Sequence, residues 1–171
     1  MLRRLLLAAV AVLPLTAQAA AVNQVALVAG TYSDKVTVID CGLPTDAIQI
    51  KSIDISPDPP KPGQNVTIIA TGTVQKQLNP GTYADVTVKV GLIKLLQKRF
   101  DVCEEAENAN VDVQCPVDPD TYTITQTVEL PKEVPPAKFV INVRGYTEEE
   151  EPMVCLDLKL DFLPSKPKFS W

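Results

Sequence analysis

Between Val36 and Phe162 apolar and polar residues alternate with a period of two, and proline or glycine punctuates the alternation. Such a rhythm marks strands with one buried and one wet face. Seven strands are expected, at 36–40, 47–56, 65–74, 84–96, 122–130, 137–144 and 154–162. In the fifth, Tyr122, Ile124 and Val128 oppose Thr121, Thr123, Thr125 and Thr127. In the sixth, Phe139, Ile141 and Val143 point inward. In the last, Val154, Leu156, Leu158, Leu160 and Phe162 oppose Asp157, Lys159 and Asp161. The isoleucines of 47–56 change parity between Ile50 and Ile53, which predicts a bulge. Pro57, Pro59, Pro60, Pro62 and Gly63 make the next segment a loop. One stretch is ambiguous: Leu92, Leu95, Leu96 and Arg99 also fit a helical face, although the valine alternation before it enters without a cap. A strand running into a loop is preferred there. Seven short strands separated by turns predict an all-β, two-layer sandwich.

The first 19 residues read as a secretory leader: Arg3 and Arg4, an apolar stretch from Leu5 to Leu15, and the small-x-small triplet Ala17-Gln18-Ala19. The apolar run is short of the ~20 residues that a spanning helix needs. Residues 20–35 are expected to be a pro-segment or arm, and 164–171 a tail. Export places Cys41, Cys103, Cys115 and Cys155 in an oxidising compartment, secreted or in a vacuolar or lysosomal lumen. Four cysteines allow three pairings. A four-thiolate zinc site wants close C-x-x-C pairs that are absent here, so two disulfides are expected; of the pairings we favour Cys103 with Cys115 across a local loop and Cys41 with Cys155 across the domain. Asn65-Val66-Thr67 is a glycosylation sequon. A glycan would put Asn65 on a wet face, opposite Val66, Ile68 and Ala70.

Composition narrows the chemistry. The net charge is −5 and becomes −7 once Arg3 and Arg4 leave with the leader, so nucleic-acid binding through a basic stripe is not expected. The absence of histidine removes Ser-His and Cys-His nucleophile pairs. The acids Glu148, Glu149, Glu150 and Glu151 fit a solvated turn better than an acid–base pair or a calcium loop. No phosphate-binding or nucleophile-elbow motif occurs. The expectation is a protein that is not an enzyme and has neither cofactor nor metal.

An ordered set of features resembles the ML lipid-recognition domain. It comprises Asp40-Cys41-Gly42, Ile55-Ser56-Pro57 before the Pro/Gly loop, the sequon strand, Cys103 with Cys115-Pro116, and the late Cys155. The segments 91–95 and 130–138 are similar to the fungal phosphatidylglycerol/phosphatidylinositol transfer branch in particular. The Niemann-Pick C type 2 branch carries an extra disulfide in the first proline loop, where this chain has none. Over residues 36–163 the resemblance implies an immunoglobulin-like sandwich holding one lipid in an apolar cavity between its sheets, with the cysteine pairing favoured above. It also implies carriage of a phospholipid or sterol between membranes, for which a monomer is the simplest form. The partners implied are the lipid, a transiently touched membrane surface and a membrane lipid-transport protein. A secreted protein-binding module with a dry core is the alternative.

Inward residues of facing strands are the candidates for the lipid slot: Val88, Val90, Leu92, Ile124, Phe139, Ile141 and Leu158, with Phe100 and Tyr122 near the mouth. Lys94, Lys98 and Arg99, set among Leu95, Leu96 and Phe100, are candidates for docking on anionic headgroups.

Overall fold

The 84–96 run contains two strands rather than one. A computed structural model of the protein describes residues 34–109 and 111–164. Its elements are β1 (Val36–Asp40), β2 (Ile48–Ser56), β3 (Asn65–Val74), β4 (Tyr83–Val90), β5 (Ile93–Asp101), a helix α1 (Val102–Asn108), β6 (Thr121–Glu129), β7 (Lys138–Tyr146) and β8 (Pro152–Asp161). The expected leader at 1–19 lies outside the described residues. So does the arm at 20–35 apart from Asp34 and Lys35, and the tail at 164–171 apart from Pro164.

All pairings are antiparallel. One sheet has the order β1-β8-β7-β4-β5 and the other β2-β3-β6, which makes an immunoglobulin-like sandwich. The β2–β3 register shifts between Ile50 and Ser52. This bulge carries Ile48, Ile50, Ile53 and Ile55 to one face despite their change of parity. The outer face of the smaller sheet is a threonine surface. Hydroxyls meet at 3.0 Å for Thr67 and Thr127, 2.9 Å for Thr71 and Thr123, and 3.0 Å for Thr73 and Thr121. Cross-strand pairs of this kind contribute roughly 0.2–1 kcal/mol each.

Where one strand was expected at 84–96, Val90 pairs with Ile93 around a two-residue turn of Gly91 and Leu92. Gly91 has φ +57°, the left-handed value that such a hairpin turn requires at its first central residue. The stretch that also fitted a helix is strand β5. The adjoining helix α1 was not expected. Its N-cap is Asp101, whose carboxylate accepts the Glu104 N–H at 2.9 Å, and Glu104 and Glu105 occupy the first turn.

Both sheets and the long crossover meet near α1. Ala47, Val74, Leu78, Val117 and Met153 form a buried cluster there. Leu78 and Val117 exchange backbone hydrogen bonds at 2.9 Å, and Ala47 N–H donates to Pro152 O at 3.2 Å. Close packing at this end is visible at Gly145, where a Cβ would lie 2.5 Å from Met153 Cε and 2.7 Å from Val154 Cγ1. Two disulfides, Cys41–Cys155 and Cys103–Cys115, complete the frame. The acids 148–151 do form the β7–β8 turn, closed by Thr147 N–H donating to Glu151 O at 2.9 Å. They are not merely solvated: Glu148 accepts from Asn79 Nδ2 at 2.5 Å, and Glu151 pairs with Lys76 at 2.6 Å.

Candidate functional site

Strand alternation gives the smaller sheet an inner face of Ile48, Ile50, Ile53 and Ile55 on β2, Val66, Ile68, Ala70, Gly72 and Val74 on β3, and Tyr122, Ile124, Gln126 and Val128 on β6. Against the α1 end of this face lies a cavity of about 180 Å³. Ile48, Ile50, Ala70, Gly72, Val74, Tyr122 and Ile124 line it from the sheet, with Thr71 at the bulge. Val102 and Ala106 of α1, followed by Val111, Val113 and Cys115, line it from the crossover, and Leu78 and Val117 close the end. The Cys103–Cys115 bond therefore ties α1 to the far end of the crossover loop that forms part of this wall. No charged side chain lines the cavity. The Tyr122 hydroxyl is committed to Asp118 O at 3.0 Å. The wall thus supplies dispersion contact and exclusion of water, which suits an aliphatic or ring hydrocarbon.

Beyond the buried cluster the inward rows are sealed only in part: Val36, Val38, Ile53 and Val66 are buried, but others are open. Ile124 is 37% and Val128 40% exposed, and across the sandwich Val88, Ile141 and Leu158 are half-buried. A core closed between two sheets buries such residues almost completely.

Of the expected slot residues, Tyr122 and Ile124 line the cavity. Val88, Ile141 and Leu158 form one cross-strand row of the larger sheet, and Val90 and Phe139 pair in the next. They share that sheet's inner face with buried Val36 and Val38, but they lie apart from the residues lining the cavity. Phe100 pairs with Ala84 on the same face, with the Lys98 ammonium 4.3 Å from its ring centre. Leu92, expected on the wall, is at the hairpin apex and fully exposed, because the turn expels it from both strands.

The three expected docking cations are divided between two faces. Alternation puts Lys98 on the inner-face side with Phe100, and Arg99 on the outer face. There Arg99 grips Asp85 through two bonds of 2.8 Å and stacks 3.7 Å from the Tyr83 ring centre. This contact holds the Asp85 carboxyl below its ordinary pKa and raises that of the guanidinium. Lys94 donates to Gln97 Oε1 at 2.5 Å and faces Lys89 across the hairpin.

Sequence reasoning missed the crossover wall and the β2 isoleucines. Signals for both were present: Val102 and Ala106 stand one helical turn apart after a capping aspartate, and Val111 and Val113 alternate up to Cys115. It also missed Gln126, a half-buried amide whose neighbours on the inner face include Ile68 and for which no protein partner is found among the described residues. Among those residues there is no cluster of three or more potential metal-ligating side chains. Nor is any helix long and apolar enough to cross a membrane.

Comparison with known proteins matches residues 35–162 to the ML domain model. The phosphatidylglycerol/phosphatidylinositol transfer protein of Cryptococcus neoformans var. neoformans serotype D is 62% identical over 125 residues, covering 73% of this chain and 69% of that protein. The protein of the same name from Mycosarcoma maydis is 48% identical over 122 residues, 71% of this chain and 63% of its own length. Among solved structures, a Niemann-Pick type C2 protein from the Japanese carpenter ant superposes with TM-score 0.55 at 16% identity, covering 71% of this chain and 96% of that one. Chicken MD-1 complexed with lipid IVa gives 0.57 at 14% identity, covering 77% and 93%.

Proposed function

We propose that this chain, which belongs to the ML domain family, is a non-enzymatic carrier that takes a single lipid between its sheets and moves it from one membrane to another. The observation that carries the reading is the unsealed apolar interior, with its cavity walled by β2, β3, β6 and the disulfide-tied crossover. Moving an acyl chain through water exposes about 0.8 kcal/mol per CH₂, so a chain of ~14 carbons costs on the order of 10 kcal/mol. A wall of valine and isoleucine offsets most of that cost. It offers no hydrogen bond that would hold the chain against return to a bilayer.

The relatives named for phosphatidylglycerol and phosphatidylinositol transfer favour a phospholipid as cargo, with sterol as the competing outcome. The two disulfides suit the oxidising lumen of the secretory route, either secreted or in a vacuole or lysosome. Asn65 stands exposed at the start of β3, where a glycan meets no obstacle from the sheet's inner face.

Native mass spectrometry of the purified protein, followed by organic extraction, tests the proposal. A one-to-one lipid adduct is expected, and the extracted species identifies the cargo. Ala70→Phe, which projects a ring into the cavity, should abolish the adduct while leaving a cooperative unfolding transition. A protein that stays free of lipid after incubation with phospholipid and sterol vesicles would overturn the reading in favour of a protein-binding module.

A further inference from the structure

The end of the sandwich remote from α1 carries a feature that neither packing nor the cavity uses. At the tip of the β4–β5 hairpin Leu92 is 104%, Ile93 66%, Leu95 55% and Leu96 42% exposed. Four exposed large apolar residues thus fall within five positions of one hairpin, whereas an isolated exposed leucine would need no explanation. Directly behind the tip, Lys89 and Lys94 are cross-strand partners. Like charges placed opposite each other destabilise a sheet, and among the described residues no carboxylate pairs with either. Lys94 turns to the neutral amide of Gln97. The nearest acid along β4, Asp85, is taken by Arg99. Across β7 the same row continues through Val140 to Lys159, beside Asp157, which Arg144 and Asn142 already hold. Arg99 is committed to its own ion pair and Lys98 lies on the other face, so the paired lysines of this tip are Lys89 and Lys94.

We propose that the β4–β5 hairpin is the membrane-docking element: Leu92 and Ile93 enter the interface of an anionic bilayer, and Lys89 and Lys94 together engage lipid phosphate. The inference deepens the carrier reading and rests on it for its purpose. Charge complementarity selects the occupant. In a chain of net charge −5 this tip joins exposed leucines to two lysines that no carboxylate among the described residues neutralises. Glu129, Glu133 and Asp161 stand at the tip's own end, but the opposite end carries more acid, 148–151 together with Glu104, Glu105 and Glu107 of α1, which biases the molecule tip-first toward a negative surface. A second copy pairing along edge strand β5 is opposed by Lys94 and Lys98 on that edge and by the bulge between Val88 and Lys89.

Co-sedimentation with phosphatidylcholine vesicles, with and without phosphatidylglycerol, tests the proposal, and native mass spectrometry of the same samples reads lipid occupancy. Lys89→Gln/Lys94→Gln should weaken binding to the anionic vesicles about 30-fold, from the contribution of two basic residues near a charged surface, and should erase the preference for them. Leu92→Ser/Ile93→Ser should reduce binding to both vesicle types. Lys51→Gln, on the other sheet, should change neither. Occupancy should persist in every variant. Wild-type binding by both double variants would overturn the proposal. So would a wild-type dimer in sedimentation equilibrium that Leu92→Ser/Ile93→Ser converts to monomer. A wild-type protein that docks through the hairpin yet never carries lipid would uphold this inference and overturn the carrier reading.

Discussion

The two ends of the sandwich are built on different terms. At the α1 end the sheets, the crossover and the 147–151 turn converge on Ala47, Val74, Leu78, Val117 and Met153. Both disulfides reach into this half, and the acids of α1 and of the turn cover it. Even these acids have structural partners: Glu148 is held below its ordinary pKa chiefly by the Asn79 amide, and Lys76 is raised by its bond to Glu151. At the other end the hairpin leaves Leu92 and Ile93 in solvent and opposes two lysines. A Cβ added to Gly91 would meet nothing within 4 Å. The α1 end thus walls the cavity; at the other end Val36 and Val66 are buried as deeply, and it is the β4–β5 hairpin alone that projects beyond this packing.

Disulfide removal puts that contrast under the largest strain. Cys41–Cys155 closes 114 residues and Cys103–Cys115 only 12. Loop entropy then assigns about 4–5 kcal/mol to the first and about 3 kcal/mol to the second. Urea unfolding of Cys41→Ala/Cys155→Ala and of Cys103→Ala/Cys115→Ala should show that order. Lipid occupancy should follow the opposite order, because Cys115 lines the cavity and its bond holds the α1–crossover wall in place, whereas neither Cys41 nor Cys155 lines it. If the Cys103→Ala/Cys115→Ala protein keeps its lipid as well as the wild type does, the crossover is not a functional wall.

Two glycines compare the ends at a smaller scale. Gly145→Ala forces a methyl against Met153 and Val154 and should cost about 1–3 kcal/mol by overpacking. Gly91→Ala meets no atom and should cost about 1–2 kcal/mol through its left-handed backbone alone. Denaturation midpoints measure both. Combining Gly91→Asn with Leu92→Gly installs an Asn-Gly turn, which favours the left-handed backbone at both central positions. That double variant should avoid the second loss, whereas no local change of turn type would recover the first.

Much of the fold was legible because its signals are local. β1 and β3 begin and end where alternation places them, and the parity change at Ile50 and Ile53 is the observed bulge. The β4–β5 turn was hidden because Val88, Val90, Leu92 and Leu96 continue one parity straight through it, and a single glycine was the only mark of reversal. Helix α1 was announced by Asp101 three residues before Glu104, but a cap without a long amphipathic run is a weak signal. The cavity was harder to locate. Inward valines and isoleucines read alike whether they face a void or another sheet, so the expected slot fell mostly on the larger sheet and the cavity lies against the smaller one. The grouping of Lys94, Lys98 and Arg99 as one patch does not match their placement on two faces, for a related reason. Adjacent residues such as Lys98 and Arg99 point to opposite faces of a strand, and partners such as Lys89 and Lys94 are visible only when the hairpin register is known.

The smallest effect concerns pH, and it bears on the two ends differently. With no histidine in the chain, no side chain with an unperturbed pKa titrates between about pH 5 and 8, so stability and anionic-vesicle binding should both be flat there. Asp85, Glu148 and Asp161 have folded-state pKa values below their ordinary ones, through the bonds from Arg99, Asn79 and the Leu163 N–H respectively. For Asp157 burial pushes the pKa up, but Asn142 and Arg144 together prevail and lower it. A depressed carboxylate contributes stability that is fully present above its unfolded value of about 4 and is lost as pH falls through the lower folded value. Thermal denaturation should therefore show an unchanged Tm down to about pH 5 and a decline below about pH 4. The hairpin offers a vesicle lysines rather than carboxylates, so anionic-vesicle binding by the still-folded protein should not weaken over that same acid range. Vesicle binding that instead weakened in step with carboxylate protonation would mean that acids, and not the two lysines, make the membrane contact.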